Sequence, residues 1–273
     1  MDHLLYNLLN GTKMTDRQIS AYLCRIGLDE DINCDLQGLT RLHQAHQRHV
    51  PFENLDVLAG RTVSLRHEDL FEKIVERRRG GLCAELNTAY NWLLYSLGFD
   101  TVSFNSRVVY PDQPIGYEQH RVICVKLQEG CWLTDVGSNL EFSRVPLPMR
   151  AEEITDDGCC SFRILPDPVY GYCLQRRRAG QNFVPSLMFQ ESPRLDVDFI
   201  PVVYYFEHQP QSTMRRSPRI SLFYADHFTA IRNHAYLVEQ GGLHITTRQL
   251  EREQEQELIR SVFGLEWDGV CPE

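Results

Sequence analysis

Arg79-Gly80-Gly81-Leu82-Cys83-Ala84-Glu85-Leu86-Asn87 joins two glycines to a cysteine and then to a run with helical spacing. Paired glycines allow a tight turn and a close approach of backbones. The segment that follows, Ala84–Leu97, presents Leu86, Tyr90, Leu93 and Leu97 on one face and stops at Gly98, so it reads as a helix. Cys83 then falls in the first turn, where the helix dipole and unpaired N–H groups favour a thiolate. A cysteine so placed is a candidate nucleophile. The competing reading is a buried structural thiol, which suits most of the other cysteines (24, 34, 124, 131, 159, 160, 173 and 271). They form an odd set without C-x-x-C spacing, which argues against a zinc knuckle and against a complete disulfide framework.

Upstream of this turn the chain keeps a helical period. Thr15 can cap a segment with Ile19, Tyr22, Leu23 and Ile26 on one face, ending at Gly27, and Leu36, Leu39, Leu42 and Ala45 resume the pattern. Ser64 precedes another set, Leu70, Phe71, Ile74 and Val75. Residues 15–97 therefore read as a helical bundle. From Thr101 the texture changes to short β-branched and aromatic runs separated by Pro, Gly and Asp: Val102–Tyr110, Arg121–Leu127, Cys131–Val136, Ser161–Leu165 and Gly171–Arg176. These are expected to be antiparallel strands of a sheet or barrel. After Pro201 come Ile220–Tyr224, Thr229–Arg232 and Ala235–Glu239 as further strands, and a last helix from Thr247 to Phe263 closed by Gly264. With no internal repeat or low-complexity linker, three compact parts sharing interfaces are expected.

Composition narrows the partners. A chain of 273 residues with 42% hydrophobic content can bury a large core, which excludes a disordered chain. Its net charge of −9 repels a phosphate backbone, and apart from Arg77–Arg79 and Arg176–Arg178 it has no basic block, so nucleic acid is not an expected partner. No stretch approaches the roughly 18–20 apolar residues that span a bilayer. The start, Met1-Asp2-His3-Leu4-Leu5, has an acidic residue where a signal peptide needs a basic one. The protein is read as cytoplasmic, with no membrane partner.

A thiolate nucleophile needs a base, and the base needs an orienting group. His120 opens the strand Arg121–Leu127 and Asp135 closes the next one, Cys131–Val136. Neighbouring antiparallel strands can set the start of one beside the end of the next, so imidazole and carboxylate could meet where the helix delivers Cys83. His43, His46 and His49 have the spacing of a metal-ligand set, but no nearby Asp, Glu or Cys completes it, and no metal is expected.

Arg79–Asn87, together with His120 and Asp135-Val136-Gly137, resembles the arylamine N-acetyltransferase family, as do Leu42-His43-Gln44-Ala45-His46 and Val50-Pro51-Phe52-Glu53-Asn54-Leu55-Asp56 upstream. The resemblance covers residues 15–150 and leaves residues 1–14 outside it. It implies an α+β fold: an N-terminal helical bundle (1–98), a central antiparallel β-barrel (99–205) and a C-terminal α/β lid (206–273), with a triad arranged as in cysteine proteases. It also implies Cys83, His120 and Asp135 as that triad, acetyl-coenzyme A as donor, an arylamine, aryl hydrazine or related amine as acceptor, and ping-pong transfer through acetyl-Cys83. Arg79 and Glu53 stand in two of the motifs and would pair to lock the turn before Cys83.

The sequence departs from the family where the acceptor would sit. Leu82 and Ala84 replace aromatic residues around the cysteine, and Ser138-Asn139 replace the Phe-Gly that usually follows Asp-Val-Gly. These positions would line the acceptor side with less stacking surface. The run His208-Gln209-Pro210-Gln211-Ser212 matches the family loosely, and the coenzyme contacts, with Arg215, Arg216 and Arg219 among the groups considered, stay open. The alternatives are an amide synthase of the same superfamily taking a larger, carrier-bound acyl chain, a cysteine protease or transglutaminase, and a small-molecule binding protein with a relic triad.

Overall fold

The computed structural model describes residues 11–110, 114–138, 142–151, 153–240 and 243–267. The N-terminal part is helical because its caps and apolar spacing agree. Helix α1 (Asp16–Arg25) starts at a Thr15 capping box closed by Gln18, and α2 (Leu36–His49) starts where Asp35 accepts from the Gly38 amide at 2.8 Å. A two-residue strand β1 (Phe52–Glu53), a short α3 (Leu55–Leu58) and α4 (His67–Leu70) follow, α4 widening into a π-helical turn over Phe71–Glu76. Helix α5 (Cys83–Leu97) is the centre of this part. One apolar face was expected of it, yet every residue from Cys83 to Tyr95 is buried, including Glu85, Asn87, Thr88 and Asn91. A helix packed on all sides must satisfy its polar groups inside the protein, and two of them, Glu85 and Asn87, help to build the site described below.

The middle of the chain forms an eight-stranded antiparallel sheet in the order β5-β4-β3-β2-β9-β8-β7-β6. Its strands are β2 (Asp100–Val108), β3 (His120–Leu127), β4 (Gly130–Thr134), β5 (Leu147–Pro148), β6 (Thr155–Asp156), β7 (Cys160–Asp167), β8 (Gly171–Arg178) and β9 (Val184–Arg194). A parallel bridge between Ala151 and Ile164 brings the two edges together, so the sheet is a nearly closed barrel around Phe104, Val122, Leu133, Phe162, Leu174 and Phe189. Strand β9 has no counterpart in the sequence reading, because Pro185 and Pro193 interrupt its pattern. Both prolines lie beside shifts in register, one against β8 between Leu174 and Gln175 and one against β2 between Phe104 and Ser106, where a missing N–H is tolerated.

After β9 the helix α6 (Ile200–His208) runs across the boundary expected between residues 205 and 206. A second sheet, in the order β1-β10-β11-β12-β13, then uses β10 (Arg219–Phe223), β11 (His227–Arg232), β12 (Ala235–Gln240) and β13 (Leu243–Gln249). The helix expected from Thr247 begins later: Thr247–Gln249 still pair with β12, and α7 (Arg252–Ser261) starts after a Glu251–Gln254 capping box. The β-branched Ile245, Thr246 and Thr247 favour the strand. The cysteines also divide differently from expectation. Cys83, Cys124, Cys160 and Cys173 are buried, Cys159 is intermediate, and Cys24, Cys34 and Cys131 are exposed, while Cys271 lies outside the described residues.

Candidate active site

Three elements converge on one point. Strands β3 and β4 pair with Ile123 opposite Thr134, so the first residue of β3, His120, and the residue just past β4, Asp135, are neighbours. The first turn of α5 packs against them. His120 Nε2 lies 2.5 Å from Asp135 Oδ2, and the Cys83 thiol, which donates to the neighbouring Gln119 carbonyl at 3.8 Å, stands close enough to act on the charge of the ring. Nε2 is thus the ring nitrogen turned to the carboxylate. Burial opposes a charged imidazole, but the Asp135 carboxylate and Cys83 more than offset it and raise the His120 pKa to about 10.

The carboxylate itself is held from every side. Asp135 is fully buried, and its Oδ1 accepts from Asn87 Nδ2 at 2.7 Å and from the Gly137 amide at 2.8 Å. Asn87 Nδ2 also donates to the Arg121 carbonyl at 2.8 Å, and its Oδ1 accepts from the Val136 amide at 3.0 Å. Gln47 Nε2 donates to the Asp135 carbonyl at 3.3 Å. Asn87 stands four residues after Cys83, so one face of α5 carries both the thiol and the amide that fixes the carboxylate. Gly137 closes the arrangement: a Cβ there would lie 2.7 Å from Cys83 Cα and 2.9 Å from Asn87 Nδ2, so only glycine lets the two backbones touch.

A second buried network lies behind the turn that precedes Cys83. Arg79 donates to Glu53 Oε1 from Nε at 2.9 Å and from Nη2 at 2.6 Å, and reaches Asp56 at 3.1 Å. Lys73 Nζ is 2.7 Å from both Asp56 and Glu85. Glu85 Oε2 accepts from the Leu82 amide at 2.8 Å, which ties the helix start into the cluster. Burial pushes the Glu85 carboxyl up, only partly countered by Lys73. Burial also works against the Asp56 carboxylate, yet Lys73 and Arg79 hold it below its usual range. Gly80 passes so close to Pro51 that a Cβ would fall 1.9 Å from the Pro51 carbonyl oxygen.

Cys83 and His120 open onto a cavity of about 530 Å³ whose aromatic lining comes from Phe52, Tyr110, Tyr117, Tyr205 and Phe206. Of the residues read from sequence as an acceptor pocket, Ser138 lines this cavity and Asn139 lies outside the described residues. Leu82 and Ala84 do not line it. They pack in the core of the bundle, each 1% exposed, because the helix start turns them away from the cavity. The three histidines of α2 go to separate partners. His43 bonds Thr134 Oγ1 and the Ser143 carbonyl, His46 the Tyr22 hydroxyl, and His49 the Ala45 carbonyl. Among the described residues no group of three or more His, Cys, Asp and Glu side chains is gathered for a metal.

This geometry has close counterparts. The family model described as N-acetyltransferase matches residues 35–270. This chain belongs to the arylamine N-acetyltransferase family. It is 40% identical to the arylamine N-acetyltransferase of Mycolicibacterium smegmatis over 139 residues, a match that spans 49% of this chain and half of that relative's length. Over the whole fold, the structure of the M. smegmatis arylamine N-acetyltransferase superposes with a TM-score of 0.86 at 28% identity, covering 94% of this chain and 97% of the other. The Mycobacterium marinum arylamine N-acetyltransferase solved in complex with CoA superposes with a TM-score of 0.83 at 26% identity, covering 90% and 92%. Family membership makes the protein an acetyltransferase with an α+β fold. Among its described residues no helix is long and apolar enough to cross a membrane.

The sequence reading missed Asn87, Gln47, Lys73, Asp56 and the aromatic walls. Asn87 had a signal, since it sits at helical spacing from Cys83 in a helix otherwise rich in apolar residues. Tyr117 and Tyr205 had none, because they meet only through the fold, with ring centroids 4.6 Å apart.

Proposed function

We propose that the protein moves an acetyl group from acetyl-coenzyme A to an arylamine, aryl hydrazine or related amine through an acetyl-Cys83 intermediate, with Cys83, His120 and Asp135 as its triad. The supporting observation is that His120, bonded to the buried Asp135 carboxylate, and Cys83, close enough to act on its charge, open together onto one cavity. In the first half-reaction the Cys83 thiolate attacks the thioester carbonyl, N–H groups of the first turn of α5 stabilise the oxyanion, and the C–S bond to coenzyme A breaks. The departing thiolate takes the proton from His120. In the second, the amine attacks acetyl-Cys83, His120 accepts the amine proton, and Cys83 leaves as a thiolate, which restores the starting ion pair. Asp135 holds His120 in one tautomer throughout and is in turn held by Asn87 and Gly137. Arg79 and Glu53 support the turn before Cys83 and touch no reacting atom.

The division into bundle, barrel and lid follows the same reading, with the third part beginning after α6. The eight described cysteines are all thiols, which fits a reducing compartment, and we place the reaction in the cytoplasm. Incubation with acetyl-coenzyme A followed by mass spectrometry is the decisive test. An acetyl increment on Cys83, absent in Cys83→Ser, is expected. A protein that takes no acetyl would be a binding protein with a relic triad, and one acylated only from a carrier-bound chain would be an amide synthase.

A further inference from the structure

Helix α6 separates two hollows of the molecule. Tyr205 and Phe206 line the cavity over Cys83, whereas Ile200, Val203, Tyr204 and Glu207, which recur at three- and four-residue spacing, line a groove of about 600 Å³ outside it. Val197, Ile200 and Tyr204 are 60%, 53% and 57% exposed there, and the buried Val63 and Val203 complete an apolar surface. Contiguous apolar surface of this kind marks an interaction site. The groove is also held open by its own bonds. The Val63 amide donates to Glu207 Oε1 at 2.5 Å, which ties the loop before α4 to α6, and His67 Nε2 meets Asp196 Oδ2 at 3.0 Å. Asp196 Oδ1 in turn accepts from the buried Arg121 at 2.6 Å. A groove already ordered in this way costs little to fill.

The start of the chain is delivered to its edge. Met14 is buried and its amide donates to Ser96 Oγ at 2.9 Å, while the Thr12 carbonyl accepts from Trp92 Nε1 at 2.7 Å. Trp92 stacks on His67, with ring centroids 4.4 Å apart. Gly11 then turns with φ of 69°, and a Cβ there would lie 3.5 Å from His67 Cε1. His67 is itself a wall residue of the groove. Residues 1–10 lie outside the described residues, and their sequence offers Leu4, Leu5, Tyr6, Leu8 and Leu9, with no charged side chain from Leu4 to Thr12. At no more than about 3.3–3.6 Å per residue, Leu9 begins within about 7 Å of Gly11, and residues 4–9 extend over at most about 20 Å.

We propose that residues 4–9 fill this groove and brace α6 from the side opposite the cavity over Cys83. Burial of the leucines offsets the entropy of ordering the segment. It also withholds an uncharged apolar stretch from other chains. The brace is independent of which acyl group or amine the cavity takes.

Hydrogen exchange read by mass spectrometry tests the brace on the full chain. Leu5→Asp with Leu8→Asp alters the segment, and Ile200→Asp alters the groove at a helix start that tolerates an acid. Each should make the amides of α6 and of residues 63–68 exchange about fivefold faster and lower the melting temperature by about 2–4 °C. Combining the two should add nothing to either alone, because one contact is lost only once. Amides of residues 4–9 should exchange more slowly in wild type than in Ile200→Asp. Tyr204→Ser, a milder change to the same rim, takes the place of Ile200→Asp if that variant does not fold. Unchanged exchange at α6 after the leucine substitutions, or effects that add in the combined variant, overturns the brace. So does a dimer in sedimentation that Ile200→Asp dissolves and the leucine substitutions leave intact, since the groove would then hold a second copy of the chain.

Discussion

Two buried polar networks flank the first turn of α5, and they differ in what they leave free to move. Behind the turn, Glu53, Asp56 and Glu85 are bound to Arg79 and Lys73 in a closed set of ion pairs, and the backbone amides of Leu55 and Leu82 take up the spare carboxylate oxygens. In front of it, Asp135 is tied to neutral donors on one oxygen and to a single titratable ring on the other. The first network pairs three carboxylates with two cations, offers no route for a proton to substrate, and can only hold position. The second ends in an imidazole and a thiol that can exchange a proton. Burial costs both of them, but only the second turns that cost into reactivity.

The most damaging way to break the contrast is Asp135→Asn. An amide can stabilise the wrong tautomer of His120 and cannot support its positive charge, so acetylation of Cys83 should slow by about 10³–10⁴-fold, the scale of the serine-protease case that serves as the standard example. Circular dichroism and melting should show a folded protein. Loss of less than about tenfold would remove Asp135 from the proposed triad.

Next in size is Asn87→Ala, which leaves Asp135 short of one donor and frees its other contacts to drift. Losing one hydrogen bond to a charged group corresponds to about 1.5–3 kcal/mol, or roughly 10–100-fold in the acetylation rate if the carboxylate is displaced. The iodoacetamide labelling rate of Cys83 should fall in parallel. A slower transfer with unchanged labelling would mean that Asn87 acts on the substrate and not through Asp135.

Lys73→Met examines the other network. It strands Glu85 in the interior and leaves Asp56 to Arg79, and breaking a buried pair from one side costs about 3–5 kcal/mol of stability. Turnover per folded molecule should change by less than about threefold, since Lys73 touches no reacting atom. A stable variant with much reduced turnover would show that the rear network also tunes the thiol.

Histidine supplies the smallest and most graded comparison. The His120 pKa is raised to about 10, so the folded state holds a proton that the unfolded state releases near pH 6.5. Its ion pair stabilises fully below about 6.5, and that contribution is lost as pH rises through about 10. His43 is the opposite case. Burial outweighs its hydrogen bond to Ser143 and the nearby Asp135 and lowers its pKa to about 4, so it costs stability as pH falls from about 6.5 towards 4. Melting curves of His120→Gln and His43→Gln against pH should therefore flatten on opposite sides of neutrality. If both flatten on the same side, the two rings do not have the environments described.

What the sequence made legible follows from how local each signal is. Cys83 is marked by the glycines before it and the helix after it, and His120 and Asp135 by the ends of adjacent strands, all features within a few residues of the side chain concerned. The expected pairing of Arg79 with Glu53 is present, but Lys73, Asp56 and Glu85 complete that cluster from three separate elements. Periodicity failed in two places for physical reasons. Prolines concealed β9, and a polar run after Thr247 looked helical although its β-branched start pairs with β12. Of the positions expected to line the acceptor side, Ser138 lines the cavity, whereas Leu82 and Ala84 face the core, since a departure from a family motif marks a position and not the direction of its side chain; Phe52, Tyr117 and Tyr205 stand in the cavity wall.

The strand Phe52–Glu53 belongs by sequence to the helical bundle but pairs with Ser221 and Ile220 of β10. Asn54 extends the stitch, donating to the Met214 and Ser217 carbonyls at separations of 160 and 163 residues. These partners emerge from the ribosome some 160 residues later. Until then the nascent chain must carry an unpaired edge and an unfinished cavity wall, the kind of surface that invites pairing with another chain. Long-range pairing of this kind forms later than local helix contacts, so enzyme activity should appear only when it is complete, after the bundle around α5 has formed.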